Sequence, residues 1–237
     1  MNLYMMDEFY KIKSYSDKNY PDHRFVDIHG IKVYYNKALN GGGSIQGPCY
    51  ASYAKNKFGN VNHVYEWCSG PGYIGFELLG RNLCNELTLA DIHKPAIDTI
   101  NITVQENSLT NVNVYHSNNL KSIDRRKKFD LIVGNPPHWQ RKVDLLKWPE
   151  RLYLDLDWQL HKDFYKDIHY YMHENSIISV IENAMTSDLS DWNIMIENNK
   201  NLEFVDYGWL EGDNRILLNE RQPFLYVVNT KFLNLKH

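Results

Sequence analysis

The chain has 237 residues, 43% of them hydrophobic and 23% charged, with a formal net charge of −3. That length is generous for one domain but ordinary for an α/β fold, and the apolar content supplies a full core. No apolar run approaches the roughly 20 residues of a membrane span, the first residues lack the basic and apolar regions of a secretory leader, and the charge gives no overall field for polyanions.

Residues 1–22 are polar and tyrosine-rich without a clear period. Phe25 to Tyr35 alternates about His29-Gly30, which predicts a β-hairpin. Gly41-Gly42-Gly43 follows, then a helix over 47–58. The triple glycine reads equally as a flexible linker and as a loop that closes over a ligand. From there strands and helices alternate: strand 62–67, helix 73–84, strand 87–91, helix 94–107, strand 112–116 and strand 129–134. Helix 157–173, strand 176–182, helix 188–199, strand 202–209 and strand 222–232 complete the series. Alternation of this kind predicts an α/β fold, a mostly parallel seven-stranded sheet with helices on both faces. The last two strands lack an intervening helix, so they form a hairpin and the final strand runs antiparallel. Residues 1–60 read as an N-terminal extension and residues 61–237 as the α/β unit.

Cys49, Cys68 and Cys84 lack C-x-x-C spacing, which argues against a disulfide framework and fits a reducing cytoplasm. His161, His169 and His173 fall near helical spacing with no zinc signature around them, so they are expected on a helix surface and no metal is expected.

Residues 129–139 carry the most chemistry. An apolar strand stops at Gly134-Asn135-Pro136-Pro137, followed by the rings of His138 and Trp139. Two prolines make the turn stiff and remove backbone donors. The side-chain oxygen of Asn135 and the nearby carbonyls, including that of Pro136, then form a fixed set of acceptors. Such acceptors beside a flat ring suit the N–H hydrogens of a planar amide or exocyclic amine; a turn that merely closes a core strand is the plain alternative.

A second cluster lies upstream. The strand ending near Glu66 enters a loop with Gly70, Gly72 and Gly75 and then a helical pattern. Glycines at a strand-to-helix turn let the backbone approach a ligand, and the helix N-terminus offers free N–H groups. Asp91 closes the next strand, where a carboxylate can accept both ribose hydroxyls of a nucleotide. The lysine and Ser/Thr of a phosphate-binding loop are absent, so a nucleoside-type ligand fits better than a triphosphate.

Together, Glu66–Gly75, Asp91 and Asn135–His138 resemble class I S-adenosylmethionine-dependent methyltransferases. The nearer resemblance is to the amino-methylating branch with an Asn-Pro-Pro-aromatic motif, which includes glutamine-N5 and adenine-N6 methyltransferases. The resemblance implies a Rossmann-like fold and S-adenosylmethionine as cofactor. It implies that Glu66, Cys68, Ser69, Gly70, Gly72 and Ile74 form the cofactor loop, with Asp91 on the ribose, Ile92 on the adenine and Asn118 near the adenine amine. Asn135 would border the cofactor, and Asn135, Pro136 and His138 would be catalytic, His138 by stacking, hydrogen bonding or acting as a base. Three positions depart from the family pattern. Cys68 replaces the usual first glycine and is tolerable with negative φ, failing which the loop geometry must differ; Asn118 replaces a common Asp, and His138 replaces Tyr or Phe.

The acceptor of the methyl group is less legible. Trp139, Trp148, Tyr153 and Trp158, in a segment of mixed charge, form either a substrate pocket or an amphipathic surface connection. Arg125-Arg126-Lys127-Lys128 is the one basic run, flanked by acids, and no added domain reads bases. A small molecule or a protein side chain is therefore the expected substrate. Adenine-N6 methylation of RNA or DNA is the alternative, and a catalytically silent binding scaffold the second. No membrane partner is expected.

Overall fold

The structure is a computed structural model that describes residues 13–36, 46–140, 153–184, 186–210 and 225–233. Two of the positions singled out above, the Gly41-Gly42-Gly43 run and Trp148, lie outside them.

Strands β2 (His23–Ile28) and β3 (Ile31–Asn36) form the expected hairpin, turning through His29 and Gly30 at φ of 49° and 86°. Both central residues take positive φ, as the tightest hairpins require. A short strand β1 (Ser14–Ser16) adds antiparallel to β2, in a stretch whose sequence shows no period. This small sheet packs on the main body: Val26, Ile28 and Val33 are buried in the same cluster as Leu87 and Leu89.

Helix α1 (Gln46–Phe58) leads into β4 (Val61–Trp67), α2 (Tyr73–Gly80), β5 (Cys84–Asp91), α3 (Lys94–Glu106), β6 (Val112–His116) and β7 (Leu131–Gly134). After them come α4 (Gln159–Asp167), β8 (Ile177–Asn183), α5 (Leu189–Glu197), β9 (Leu202–Trp209) and β10 (Leu225–Phe232). Sheet order is β6-β5-β4-β7-β8-β10-β9, parallel except for β10, which is antiparallel to both its neighbours. The expected α/β architecture is therefore present, with its final strand reversed.

Residues alternate across the sheet as a strand buried on both faces demands. Along β4, Val64 enters the cluster under α1 to α3, whereas Tyr65 and Trp67 enter the one under α4 and α5. Two boundaries differ from expectation. Helix α2 stops at Gly80 because Asn82, at φ 56°, takes the left-handed position after the helix; the Asn82 and Leu83 amides donate to the Leu79 and Leu78 carbonyls. That paired cap ends a helix firmly, and β5 starts three residues earlier than expected. The 157–173 helix is broken, with 3₁₀ turns at Leu156–Trp158 and Ile168–Tyr171 flanking α4 and left-handed φ at Asp157 and Trp158.

Strand order runs outward in opposite directions from the β4/β7 pair, so a crevice opens beyond the carboxyl ends of these two strands. Trp67 and Gly134, the last residues of each, are partners in register. They stand so close that a Cβ on Gly134 would lie 2.6 Å from the Trp67 carbonyl oxygen. The glycine loop after Trp67 and the Asn135 turn after Gly134 thus start side by side.

Candidate active site

The loop after β4 is fixed from three directions. Glu66, 3% exposed, accepts the Gly75 amide at 2.7 Å, so its carboxylate anchors the first turn of α2. A Cβ on Gly75 would stand 2.7 Å from that same carboxylate oxygen, which is why glycine sits there. Burial pushes the Glu66 carboxyl up to about 8, against the Gly75 and Ile74 amides that favour its charged form. The Ser69 amide donates to the Ala90 carbonyl, and the Gly70 amide donates to Asp91 Oδ2 at 2.8 Å. Asp91 Oδ1 accepts the His93 amide at 2.7 Å. Each carboxylate oxygen keeps a second lone pair, so Asp91 can still accept hydroxyls while it ties the loop to the end of β5.

Cys68 adopts φ 52°, not the negative value a Cβ prefers, and Gly70 and Gly72 take 51° and 85°. The loop keeps its left-handed course and a cysteine bears it, at a cost of roughly 1 kcal/mol for a non-glycine residue there. Burial also raises the Cys68 thiol well above its ordinary pKa, with the Asp91 charge adding to the effect. The thiol is therefore protonated and a poor nucleophile. No disulfide joins Cys49, Cys68 and Cys84.

Beyond Asp91, Ile92 is 55% exposed, an apolar side chain at the strand end. The Ser117 amide donates to the Asp91 carbonyl, which brings Ser117 and the exposed Asn118 alongside. Ile74 is buried in α2 within the core. Ser69 Oγ is buried with no hydrogen-bond partner among the described residues.

Asn135 is the pivot of the other half. Its amide nitrogen donates to Gln46 Oε1 at the start of α1, while its Oδ1 is buried and accepts nothing among the described residues. A buried acceptor left unpaired is costly, so this atom marks where a donor belongs. Pro136 is buried. The His138 carbonyl accepts the Thr186 hydroxyl, and the Trp139 amide and carbonyl pair with Tyr153 and Asp155. Burial lowers the His138 pKa to about 4, with the nearby His161 adding to the effect, and His138 Nδ1 has no partner among the described residues. The ring is therefore neutral near pH 7 and able to accept a hydrogen bond.

The aromatic segment divides. Trp139 and Tyr153 are half-buried beside the turn. Trp158 is placed in the core: it is 5% exposed, donates its indole N–H to Asp191, and packs on Trp192 and His161. That position takes it away from a substrate pocket.

Two features escaped the sequence. One is Gln46, a lone residue after a glycine run with no pattern to single it out. The other corrects the expectation of a surface histidine. His161 is 0% exposed, its Nδ1 2.6 Å from Asp155 Oδ2 and its Nε2 3.1 Å from Glu182 Oε1. A signal existed, since His161 shares a helical stripe with Phe164, Tyr165 and Ile168. His173 instead pairs with Asp130, and His169 with Asn199.

The basic run is largely engaged, and it lies far from the crevice. Arg126 pairs with Asp124, Arg125 lies over the Tyr170 ring, and Lys128 donates to the Tyr170 and Met172 carbonyls. Next to it, Asp130 accepts the Asn62 and His63 amides at the amino end of β4. The run therefore occupies the end of the sheet opposite Asn135. Among the described residues no group of histidine, cysteine and acidic side chains could hold a metal ion, and no helix is long and apolar enough to cross a membrane.

A doubly wound sheet with a glycine loop, a carboxylate at the end of β5 and a stiff acceptor turn after β7 offers a nucleoside-type ligand a place at the carboxyl ends of the strands. Residues 53–162 match the methyltransferase small domain family. The T. thermophilus 16S rRNA N2 G1207 methyltransferase, solved with S-adenosylmethionine and guanosine, superposes with a TM-score of 0.60 at 13% identity, covering 88% of this chain and 50% of that one. An S-adenosylmethionine-dependent methyltransferase from Clostridium acetobutylicum gives 0.57 at 8%, covering 79% and 91%. The ribosomal protein L11 methylase of Lactobacillus delbrueckii gives 0.53 at 12%, covering 81% and 79%. The chain thus spans half the length of the T. thermophilus enzyme. No curated protein matches the sequence. The family match over residues 53–162 and the fold agree on class I S-adenosylmethionine-dependent methyltransferases as the proteins this chain resembles.

Proposed function

We propose that the enzyme methylates a planar amide or amine nitrogen of a small molecule or a protein side chain. The observation that carries the reading is Asn135 Oδ1, a buried and unpaired acceptor on a proline-stiffened turn beside the glycine loop. S-adenosylmethionine, when bound, supplies an electrophilic methyl group. Residues 68–72 would hold its amino-acid end, Asp91 the ribose, and Ile92 with Asn118 the adenine, while Ile74 packs in the core beneath the loop. The unpaired Ser69 Oγ fits this assignment, since a polar ligand satisfies it.

Amide and aromatic-amine nitrogens are weak nucleophiles because their lone pair is delocalised. Asn135 Oδ1 and the Pro136 carbonyl accept the two N–H hydrogens, aim the lone pair and stabilise the positive charge that develops as the N–C bond forms. The neutral ring of His138 fixes the plane, with Trp139 and Tyr153 bordering it. A base of pKa about 4 is not needed, because a charged methylated nitrogen releases its proton to water. A nucleobase amine would meet the same acceptors. The position of Arg125–Lys128 at the far end of the sheet supports the smaller substrate.

Transfer of tritium from labelled S-adenosylmethionine tests the reading across amino acids, nucleosides, glutamine-containing peptides, tRNA and ribosomal RNA. Label on nitrogen in a small molecule or peptide is expected. Label confined to RNA would replace the substrate, and label on oxygen or carbon would overturn the N-methylation. Asp91→Ala is expected to weaken S-adenosylmethionine binding by roughly 1.5–3 kcal/mol, the cost of hydrogen bonds to a charged group. Calorimetry reads this directly; an unchanged dissociation constant would move the site elsewhere.

A further inference from the structure

Asn135 has an amide that points two ways, and the chemistry depends on which end faces the acceptor. An oxygen there receives N–H hydrogens, whereas an NH₂ there would oppose them. An oxygen facing the acceptor requires a hydrogen-bond acceptor for the NH₂ at the other end. That partner is Gln46, whose Oε1 accepts the Asn135 amide hydrogen. Gln46 opens α1, and the next residue locks this helix onto the cofactor loop. Gly47 is buried so tightly against the first turn of α2 that a Cβ there would lie 2.7 Å from the Tyr73 carbonyl oxygen. The start of α1 therefore touches both halves of the site, the turn after the glycine loop and the side chain of Asn135. Among the described residues no backbone group bonds to the Asn135 side chain, whose amide nitrogen is bonded to Gln46 and whose Oδ1 is buried without a partner.

We infer that Gln46 is a positioning residue for methyl transfer, holding the Asn135 amide so that Oδ1 faces the acceptor nitrogen. The inference rests on the N-methyl transfer reading above. Its requirement is specific: position 46 must accept a hydrogen bond. Glutamate meets that requirement and leucine does not. Were Gln46 instead to donate to Asn135, glutamate would fail as badly as leucine.

The test needs no knowledge of the acceptor. Sinefungin replaces the methyl-bearing sulfonium of S-adenosylmethionine with a carbon bearing an ammonium group, so it places N–H donors where the methyl stands. Its affinity relative to S-adenosylhomocysteine reports a buried acceptor at that point. The wild-type enzyme is expected to prefer sinefungin, and Asn135→Ala to lower that preference about tenfold. Gln46→Leu is expected to lower it about fivefold with S-adenosylhomocysteine affinity unchanged, which also confirms folding, and Gln46→Glu to hold it within about twofold. In ¹⁵N spectra the Asn135 side-chain amide signal should move toward the free-amide position in Gln46→Leu and stay bonded in Gln46→Glu. A retained preference in Gln46→Leu, where Asn135→Ala loses it, overturns the role of Gln46 alone. Loss in Gln46→Glu overturns the orientation. A preference untouched by Asn135→Ala removes the acceptor role of Asn135, and an unmoved amide signal in Gln46→Leu removes the bond itself.

Discussion

Replacing Asn135 with alanine is expected to cut single-turnover methyl transfer by about 100-fold while leaving S-adenosylmethionine affinity within a few-fold. The asymmetry follows from what the side chain touches. Asn135 bonds to Gln46 and to no residue of the glycine loop, so the loop that Asp91 and Glu66 tie down through the Gly70 and Gly75 amides survives its loss. What disappears is one oriented acceptor in a preorganised turn, and such a group acts on the transition state more than on the ground state. Asn135→Asp keeps an acceptor toward the substrate and should be milder, although it exchanges the donor to Gln46 for a second acceptor. Calorimetry and single-turnover rates, on the acceptor that tritium transfer identifies, measure both halves. Near-full turnover in Asn135→Ala would make the Pro136-Pro137 turn purely structural.

The framework of the site was legible because it rests on local rules. Apolar runs bounded by glycine and proline marked β4, β5 and β7, and a glycine-rich strand-to-helix turn can hardly be anything but a loop. The hairpin at His29-Gly30 has the same origin, in a turn that needs positive φ. Legibility ended where distant segments meet. Nothing near Gln46 announces that it reaches Asn135, 89 positions away in sequence. Cys68 at φ 52° illustrates a different limit: the backbone conformation is set by the loop's anchors at Ala90 and Asp91, which override the preference of the residue itself. Trp158 was ambiguous for a third reason. An aromatic near a substrate loop and one beneath it have the same local sequence, and only the Asp191 carboxylate and the Trp192 ring place it below.

The same buried layer holds the second large effect. His161→Leu is expected to cost roughly 3–5 kcal/mol of stability, because it leaves Asp155 and Glu182 buried without their cation. Both carboxylates are nearly or wholly inaccessible, at 4% and 0% exposed, so solvent screens the loss very little. Burial alone would lower the His161 pKa, but Glu182 and Asp155 together outweigh it and raise it to about 9. Since that value lies above the ordinary one near 6.5, the pairing contributes fully below about pH 6.5 and its contribution is lost as pH rises through about 9. Glu66, with its carboxyl raised to about 8, also makes stability fall as pH rises, over a window beginning near its ordinary value. The His161 part is therefore the difference between wild type and His161→Leu, which should shrink between pH 7 and pH 10 in urea denaturation. Removing Glu182 as well should restore part of the loss, so that His161→Leu with Glu182→Leu costs less than the two single changes summed. The effect reaches the active site through Asp155, whose amide holds the Trp139 carbonyl while its carboxylate caps α4 at Leu160 and His161. A network that anchors the residues after Pro137 in this way should slow methyl transfer when broken, even at temperatures where the variant stays folded. A cost below about 1 kcal/mol, or strict additivity in the double variant, would mean that the three side chains are not held as an ion network.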